Sequence, residues 1–171
     1  MAAAKSKTSQ CPIARSLDRI GDSWSMLILR DALQGVTRFD DFQTRLGIAP
    51  SMLTRRLNAL VEAGLMERRP YSTHPPRADY LLTDCGRAFR SVIIALFAWG
   101  RDHFAPEGKS LLLVDTTTGA ESEPLLIDRR SGQPVTQPRF QFAPGPVANA
   151  QLRQRYVATP AQPALPVRTG S

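Results

Sequence analysis

Residues 50–83 read PSMLTRRLNALVEAGLMERRPYSTHPPRADYLLT, and their patterning decides the fold. Leu53, Leu57, Leu60 and Val61 recur at helical spacing behind Pro50 and Ser51, and Gly64 supplies a stop. The spacing predicts one helix with a single apolar face. Its opposite face carries Ser51, Thr54, Arg55, Asn58 and Glu62, with Arg56 near the edge. Leu65 to Tyr71 and Ala78 to Thr83 suit strands, with Tyr80 and Leu82 on one face of the second. Between them Ser72 to Arg77 is rich in breakers, and Pro70 marks a sheet edge.

Upstream lie three further short helical patterns. Pro12 suits a first helical position, where its missing N–H costs nothing, and Ile13, Leu17 and Ile20 follow before Gly21. Asp22 or Ser23 caps a second helix, with Trp24, Leu27, Ile28 and Leu33 expected on its buried side and Gly35 as its stop. Val36-Thr37-Arg38 is an extended link. Phe39, Phe42 and Leu46 then stripe a third helix that Gly47 closes. Helix, glycine turn and helix with a polar, basic outer face form a helix-turn-helix. A hairpin directly behind it makes the unit a winged helix.

Downstream, Thr83 caps a helix expected to run unbroken from Asp84 to Phe104. Phe89, Val92, Ile93, Leu96, Phe97 and Phe104 form its main stripe, while Ile94, Ala95, Ala98 and Trp99 add apolar surface elsewhere. A helix apolar nearly all round needs cover from two directions. One side is assigned to its own domain and the other to a second subunit. The expected dimer interface comprises Ile13, Leu17, Phe89, Val92, Ile93, Leu96, Phe97 and Trp99. Beyond residue 106 the composition shifts, and eight of the fourteen prolines lie after residue 108. Leu111 to Val114, Pro124 to Asp128 and Val135 to Phe142 read as short strands between turn-rich stretches, with a short helix over Asn149 to Tyr156. No internal repeat is evident. The reading is an α+β fold in four parts. A flexible N-terminus spans 1–10, the winged helix with its long dimerisation helix 11–106, a small β-rich appendage 107–157, and a flexible tail 158–171.

The chain has 171 residues, a net charge of +7, 42% hydrophobic and 22% charged residues. That composition forms a core and excludes wholesale disorder. The longest apolar run, Val92 to Trp99, is far short of the ~18 to 20 residues of a membrane span, and Met1 to Gln10 lacks the apolar segment of a secretory signal. Two cysteines, Cys11 and Cys85, neither staple such a fold nor bind zinc alone, and a reducing cytoplasm is the expected setting. No metal motif, Gly-rich phosphate loop, paired carboxylates at useful spacing or Ser-His-Asp set occurs, and the two histidines, His74 and His103, lack evident partners. Catalysis is not expected.

Base reading falls to Ser51, Thr54, Arg55 and Asn58, which share the outer face near the start of the fourth helix. Arginine holds guanine O6 and N7 with two hydrogen bonds, and asparagine does the same for adenine. Arg56 either clamps a phosphate or pairs with an acidic neighbour inside the fold. Arg38 beside the third helix and Arg68, Arg69 and Arg77 on the hairpin suit the phosphate backbone. Cys11 stands at a helix N-terminus, where the dipole and free N–H groups favour thiolate; it is the candidate for redox or electrophile sensing. Cys85 is expected to be a buried spectator. Space between the winged domain and the long helix leaves room for a small effector.

The run from Cys11 to about Phe104 resembles the HxlR-type transcriptional regulators, winged-helix proteins allied to the MarR group. The resemblance rests on Cys11-Pro12, Trp24 with Leu29-Arg30-Asp31, Arg38-Phe39 with Phe42, Leu53-Thr54-Arg55-Arg56-Leu57, Glu62-Ala63-Gly64-Leu65, Pro75-Pro76-Arg77, Tyr80 and Gly86-Arg87. It implies a homodimer on an inverted-repeat operator in double-stranded DNA. For some members it implies sensing of oxidants or electrophiles through the cysteine whose place Cys11 fills. Asp22-Ser23 departs from the Gly-Lys pair common before that tryptophan, and Cys85 stands where the family usually has no cysteine. The rival reading is a winged-helix module for protein contact, which uses the appendage and has only non-specific DNA affinity.

Overall fold

The computed structural model describes residues 10–106, 108–136 and 138–156. The expected flexible tail and all but Gln10 of the expected flexible N-terminus lie outside them. Four helices come first: α1 (Pro12–Ile20), α2 (Ser23–Leu33), α3 (Phe39–Leu46) and α4 (Pro50–Glu62). Each stop is local chemistry. Gly21 and Gly47 take left-handed φ values of 57° and 60°, and their N–H groups close onto the carbonyls of Leu17 and Gln43. A side chain would be strained there. Asp22 caps α2, its carboxylate accepting from the Ser25 N–H at 3.2 Å.

Ile28, Leu29, Phe42, Leu53, Leu57, Leu60 and Met66 are fully buried and form the centre of the core. Burial of each such side chain contributes about 1.5–3 kcal/mol. The α4 stripe sits as its spacing predicts. On α2 the inward side is rotated from the expected one: Leu29 and Ala32 are buried with Ile28, whereas Trp24, Leu27 and Leu33 are only half-buried. Packing against α3 and α4 selects that side, because α2 is apolar on more than one.

The hairpin consists of β1 (Met66–Thr73) and β2 (Pro76–Leu82), paired antiparallel from Met66 opposite Leu82 to Thr73 opposite Pro76. The connecting turn is shorter than the breaker-rich stretch suggests, because pairing runs almost to His74-Pro75. The register breaks between Pro70 and Ser72. Proline offers no N–H to the ladder, so the strand yields beside it. The 36–38 link also pairs: the Tyr80 N–H donates to the Thr37 carbonyl at 2.8 Å, and Arg38 bridges to Asp79. These bonds fasten the base of the hairpin to the start of α3.

The expected single helix from Asp84 to Phe104 is two helices, α5 (Asp84–Ala88) and α6 (Arg90–Phe104). Thr83 caps α5 by accepting from the Gly86 N–H at 3.1 Å, and its hydroxyl donates to the Gly64 carbonyl at 2.7 Å. Phe89, half-buried against the core, takes ψ −13° and turns the chain into α6. Helical periodicity continues through this break, so sequence spacing does not register it. Gly86 packs so closely that a Cβ on it would lie 2.0 Å from the Leu65 carbonyl oxygen. No residue of α6 is buried.

After residue 108 the expected strands shrink to two isolated antiparallel bridges, Val114 with Glu121 and Ile127 with Pro134. They close two turns of matching sequence, LLVDTTTG (112–119) and LLIDRRSG (125–132), so the chain does hold a short internal repeat. In each, the aspartate carbonyl accepts from the glycine N–H, 2.7 Å at Asp115 and 2.8 Å at Asp128. Each aspartate N–H donates to the residue after the glycine, at 2.9 Å in both. The turns are tightly closed, but the flanking leucines are exposed and nothing extends the pairing into a sheet. The short helix expected near 149–156 is α7 (Ala150–Arg155), capped by Asn149. No helix among the described residues is long and apolar enough to cross a membrane.

Candidate nucleic-acid interface

The apolar face of α4 is locked into the core by Leu53, Leu57 and Leu60, which turns the opposite face outward. Ser51, Thr54, Arg55 and Asn58 are all exposed on it. The Thr54 hydroxyl donates to the Pro50 carbonyl at 2.9 Å and keeps its acceptor lone pairs outward. Arg55 makes only a contact to the Met52 sulfur at 3.2 Å. A neutral thioether holds a guanidinium weakly, so this fork is available to a base edge.

Arg56 faces inward. Its guanidinium meets the Asp22 carboxylate at 2.7 Å, with side-chain exposures of 24% and 20%. Of the two roles open to Arg56, the geometry matches the internal pair. That pair also gives the Asp22-Ser23 departure a physical meaning, since one carboxylate caps α2 and anchors α4.

On the hairpin, Arg68, Arg69 and Arg77 are exposed. Arg69 pairs with Glu67 at 2.7 Å, whereas Arg68 and Arg77 have no ion pair among the described residues. Arg38 is exposed at the N-terminus of α3, its guanidinium 5.6 Å above the Tyr71 ring. The register break that leaves Tyr71 without a strand partner places that ring under Arg38. Three exposed cationic side chains thus have no carboxylate partner among the described residues, Arg38 at the α3 start and Arg68 and Arg77 on the hairpin.

Cys11 is the N-cap of α1 and is only 5% exposed. Its cover comes from the far end of the chain. The Tyr156 hydroxyl lies 3.8 Å from its sulfur, and Gln10 accepts from the Asn149 N–H at 2.7 Å. The backbone N–H of Ala14 and then the Tyr156 hydroxyl hold the Cys11 thiol below its ordinary value, with a smaller contribution from the charge of Arg155. The Tyr156 phenol is raised in return, chiefly by its bond to the sulfur. Sequence reading singled out Cys11 but missed Tyr156, because 145 residues of separation leave no local signal. Cys85, expected to be buried, is exposed on α5. The short helix ends before it can bury that face.

The expected dimer residues divide. Ile13 and Leu17 on α1 and Val92, Leu96 and Trp99 on α6 are 43–58% exposed, whereas Phe89, Ile93 and Phe97 are half-buried in their own chain.

Comparison with known proteins places this geometry. The HxlR-like helix-turn-helix model matches residues 19–108. An uncharacterized HTH-type transcriptional regulator of Mycobacterium tuberculosis is 39% identical over 141 residues, 82% of this chain and 89% of that protein. The structure of PA1374, a proposed transcription factor of Pseudomonas aeruginosa, is 51% identical with a TM-score of 0.63, covering 85% of this chain and 99% of its own. The oxidized form of the redox regulator HypR is 31% identical with a TM-score of 0.50, covering 54% of this chain and 97% of its own. The first two likenesses reach well into the segment after residue 108. HxlR-family proteins and these relatives are transcriptional regulators rather than enzymes. With an outward polar face on α4, a hairpin behind it and a family match over more than half its length, this chain belongs to the HxlR-like helix-turn-helix family of transcriptional regulators.

Proposed function

We propose that the protein acts as a homodimer that binds a specific inverted-repeat operator in double-stranded DNA. The carrying observation is the outward face of α4, where Ser51, Thr54, Arg55 and Asn58 stand exposed, together with exposed arginines on the hairpin and at the start of α3. In this reading α4 lies in the major groove, Arg55 and Asn58 contact base edges, and Arg38, Arg68, Arg69 and Arg77 contact phosphates. Arg56 serves from behind by holding α4 against Asp22. The second subunit packs on α6 and α1, whose exposed Val92, Leu96, Trp99, Ile13 and Leu17 have no cover in one chain. A two-fold dimer then sets half-sites about one helical turn apart.

Oxidants or electrophiles modulate the binding through Cys11. The lowered thiol and the likeness to a protein named a redox regulator support this reading.

The test is competition binding between DNA from upstream of the protein's own gene and a scrambled duplex, across a salt series. A preference of at least ~10³ that persists at physiological salt supports an operator binder. Affinity that ignores sequence and collapses with salt is the signature of a basic surface alone. That outcome favours the rival reading, in which the segment after residue 108 contacts a protein.

A further inference from the structure

The two turns of the segment after residue 108 are alike in backbone and opposite in charge. We propose that they form a second interface between two copies of this chain, the first turn of one subunit pairing edge to edge with the second turn of its partner, and the reverse. The proposal rests on the homodimer reading and extends it to a surface outside the winged helix. Residues 109–123 hold one lysine against one aspartate and two glutamates, a net −2, and residues 124–139 hold three arginines against one aspartate, a net +2. These charges do not meet within one chain. Among the described residues no ion pair joins the two turns: Glu121 is held by Lys109 at 2.8 Å, while Arg129 and Arg130 stand exposed. A two-fold axis brings one patch of a subunit onto a second patch of its partner, and the second onto the first. Opposite charge on two turns of one shape therefore suits another copy of the same chain, which satisfies both at once.

The backbone is prepared for the same partner. In the first turn the Leu113 carbonyl accepts from the Ser122 N–H at 2.7 Å, and the Asp115 N–H donates to the Ala120 carbonyl at 2.9 Å. Val114 between them turns its own N–H and carbonyl outward. In the second turn the Leu126 carbonyl accepts from Val135 and the Asp128 N–H donates to Gln133, both at 2.9 Å, which leaves Ile127 in the same state. Neither Val114 nor Ile127 has a backbone bond among the described residues. An unpaired edge of this kind is a template for a stretch of another chain, and Leu125 and Leu126 beside it are 63% and 67% exposed. The area of the α6 contact leaves room for it. With 15 residues, α6 is about 22 Å long and about 10 Å wide. One face of it supplies on the order of a third of the roughly 800 Å² that each partner buries in a standard interface, and α1, with nine residues, adds a shorter one. The first turn adds surface beside the C-terminal end of α6, where the charges of Glu123 and Glu121 reach Arg101.

The test uses the full chain. Hydrogen exchange read by mass spectrometry is compared above and below the dimer dissociation constant. Peptides that contain Val114 and Ile127 should exchange about tenfold or more slowly in the dimer than in the monomer. Arg129→Glu with Arg130→Glu places like charge at both turn contacts of a homodimer. It should raise the dissociation constant about tenfold or more in sedimentation equilibrium, with an unchanged circular dichroism spectrum. Glu123→Lys leaves the Lys109–Glu121 pair intact and should also weaken its own homodimer. Mixed in equal amounts, the two variants should form heterodimer well above the about one half expected of random assortment, because the acidic turns of one meet the basic turns of the other. Native mass spectrometry counts the species. Equal exchange above and below the dissociation constant, an arginine variant that dimerises as tightly as wild type, or random assortment in the mixture would each overturn this proposal while the homodimer stands. A wild-type chain that stays monomeric would overturn the homodimer reading as well.

Discussion

Arg55 and Arg56 are neighbours on α4 with different surroundings. Arg55 is exposed with only a thioether beside it, while Arg56 is paired with the N-cap of α2. Arg55→Ala should cost about 1–3 kcal/mol in operator binding and relax specificity at one base pair, with folding stability unchanged. Arg56→Ala should do the reverse. It leaves Asp22 without its cation and lowers stability by about 1 kcal/mol, since the pair is partly screened by water, but base preference is retained. Binding curves on single-base operator variants, set beside urea unfolding, separate the two. A shift in base preference for Arg56→Ala would return it to the contact surface. At Cys11 the N–H of Ala14 and the Tyr156 hydroxyl favour thiolate, so the alkylation rate should reach half its plateau at a lower pH than an ordinary thiol does. The linked stability has a definite sign. It is present in full above the ordinary thiol range and is lost as pH falls through the lowered folded value. The advantage of the native protein over Cys11→Ser should therefore grow from neutral to alkaline pH, up to where Tyr156 ionises. Denaturation at several pH values checks this, and a pH-independent difference would refute it.

At the scale of elements, the join between hairpin and α5 is the least forgiving point. Gly86→Ala would drive a methyl into the Leu65 carbonyl, a backbone atom unable to move aside. The expected cost is about 1–3 kcal/mol or more, read as a lower thermal midpoint. Full stability in that variant would mean that α5 does not approach the Leu65 carbonyl so closely. The periodicity of residues 84–104 conveyed none of this, because apolar spacing is blind to a one-residue turn at Phe89. The paired turns at Asp115 and Asp128 escaped notice for a related reason. Only Leu-Leu, a β-branched residue, an aspartate, a small hydroxyl residue and a glycine are shared over eight positions, and the shared backbone bonds reveal the likeness.

Over the whole molecule, α6 presents apolar surface that the described residues leave uncovered. Leu96 and Trp99 are 43% and 54% exposed, and no α6 side chain is buried. Leu96→Asp should convert a dimer to monomers in sedimentation experiments, while the circular dichroism spectrum of the winged domain persists. It should weaken operator binding far more than binding to a half-site, since one linked contact is lost. A Leu96→Asp protein that stays dimeric would move the interface off this face. The winged helix itself was legible from residues 50–83. Short-range patterning fixes which side of α4 turns inward, where glycine stops each helix, and where a breaker-rich stretch folds back as a hairpin. The base-reading candidates follow from the same periodicity. Only the tertiary structure decided that Arg56 pairs with Asp22, that Gly86 is required by a carbonyl, and that Tyr156 covers Cys11. Each of these joins residues far apart in the chain, and such pairings depend on how the elements pack, which local spacing does not encode.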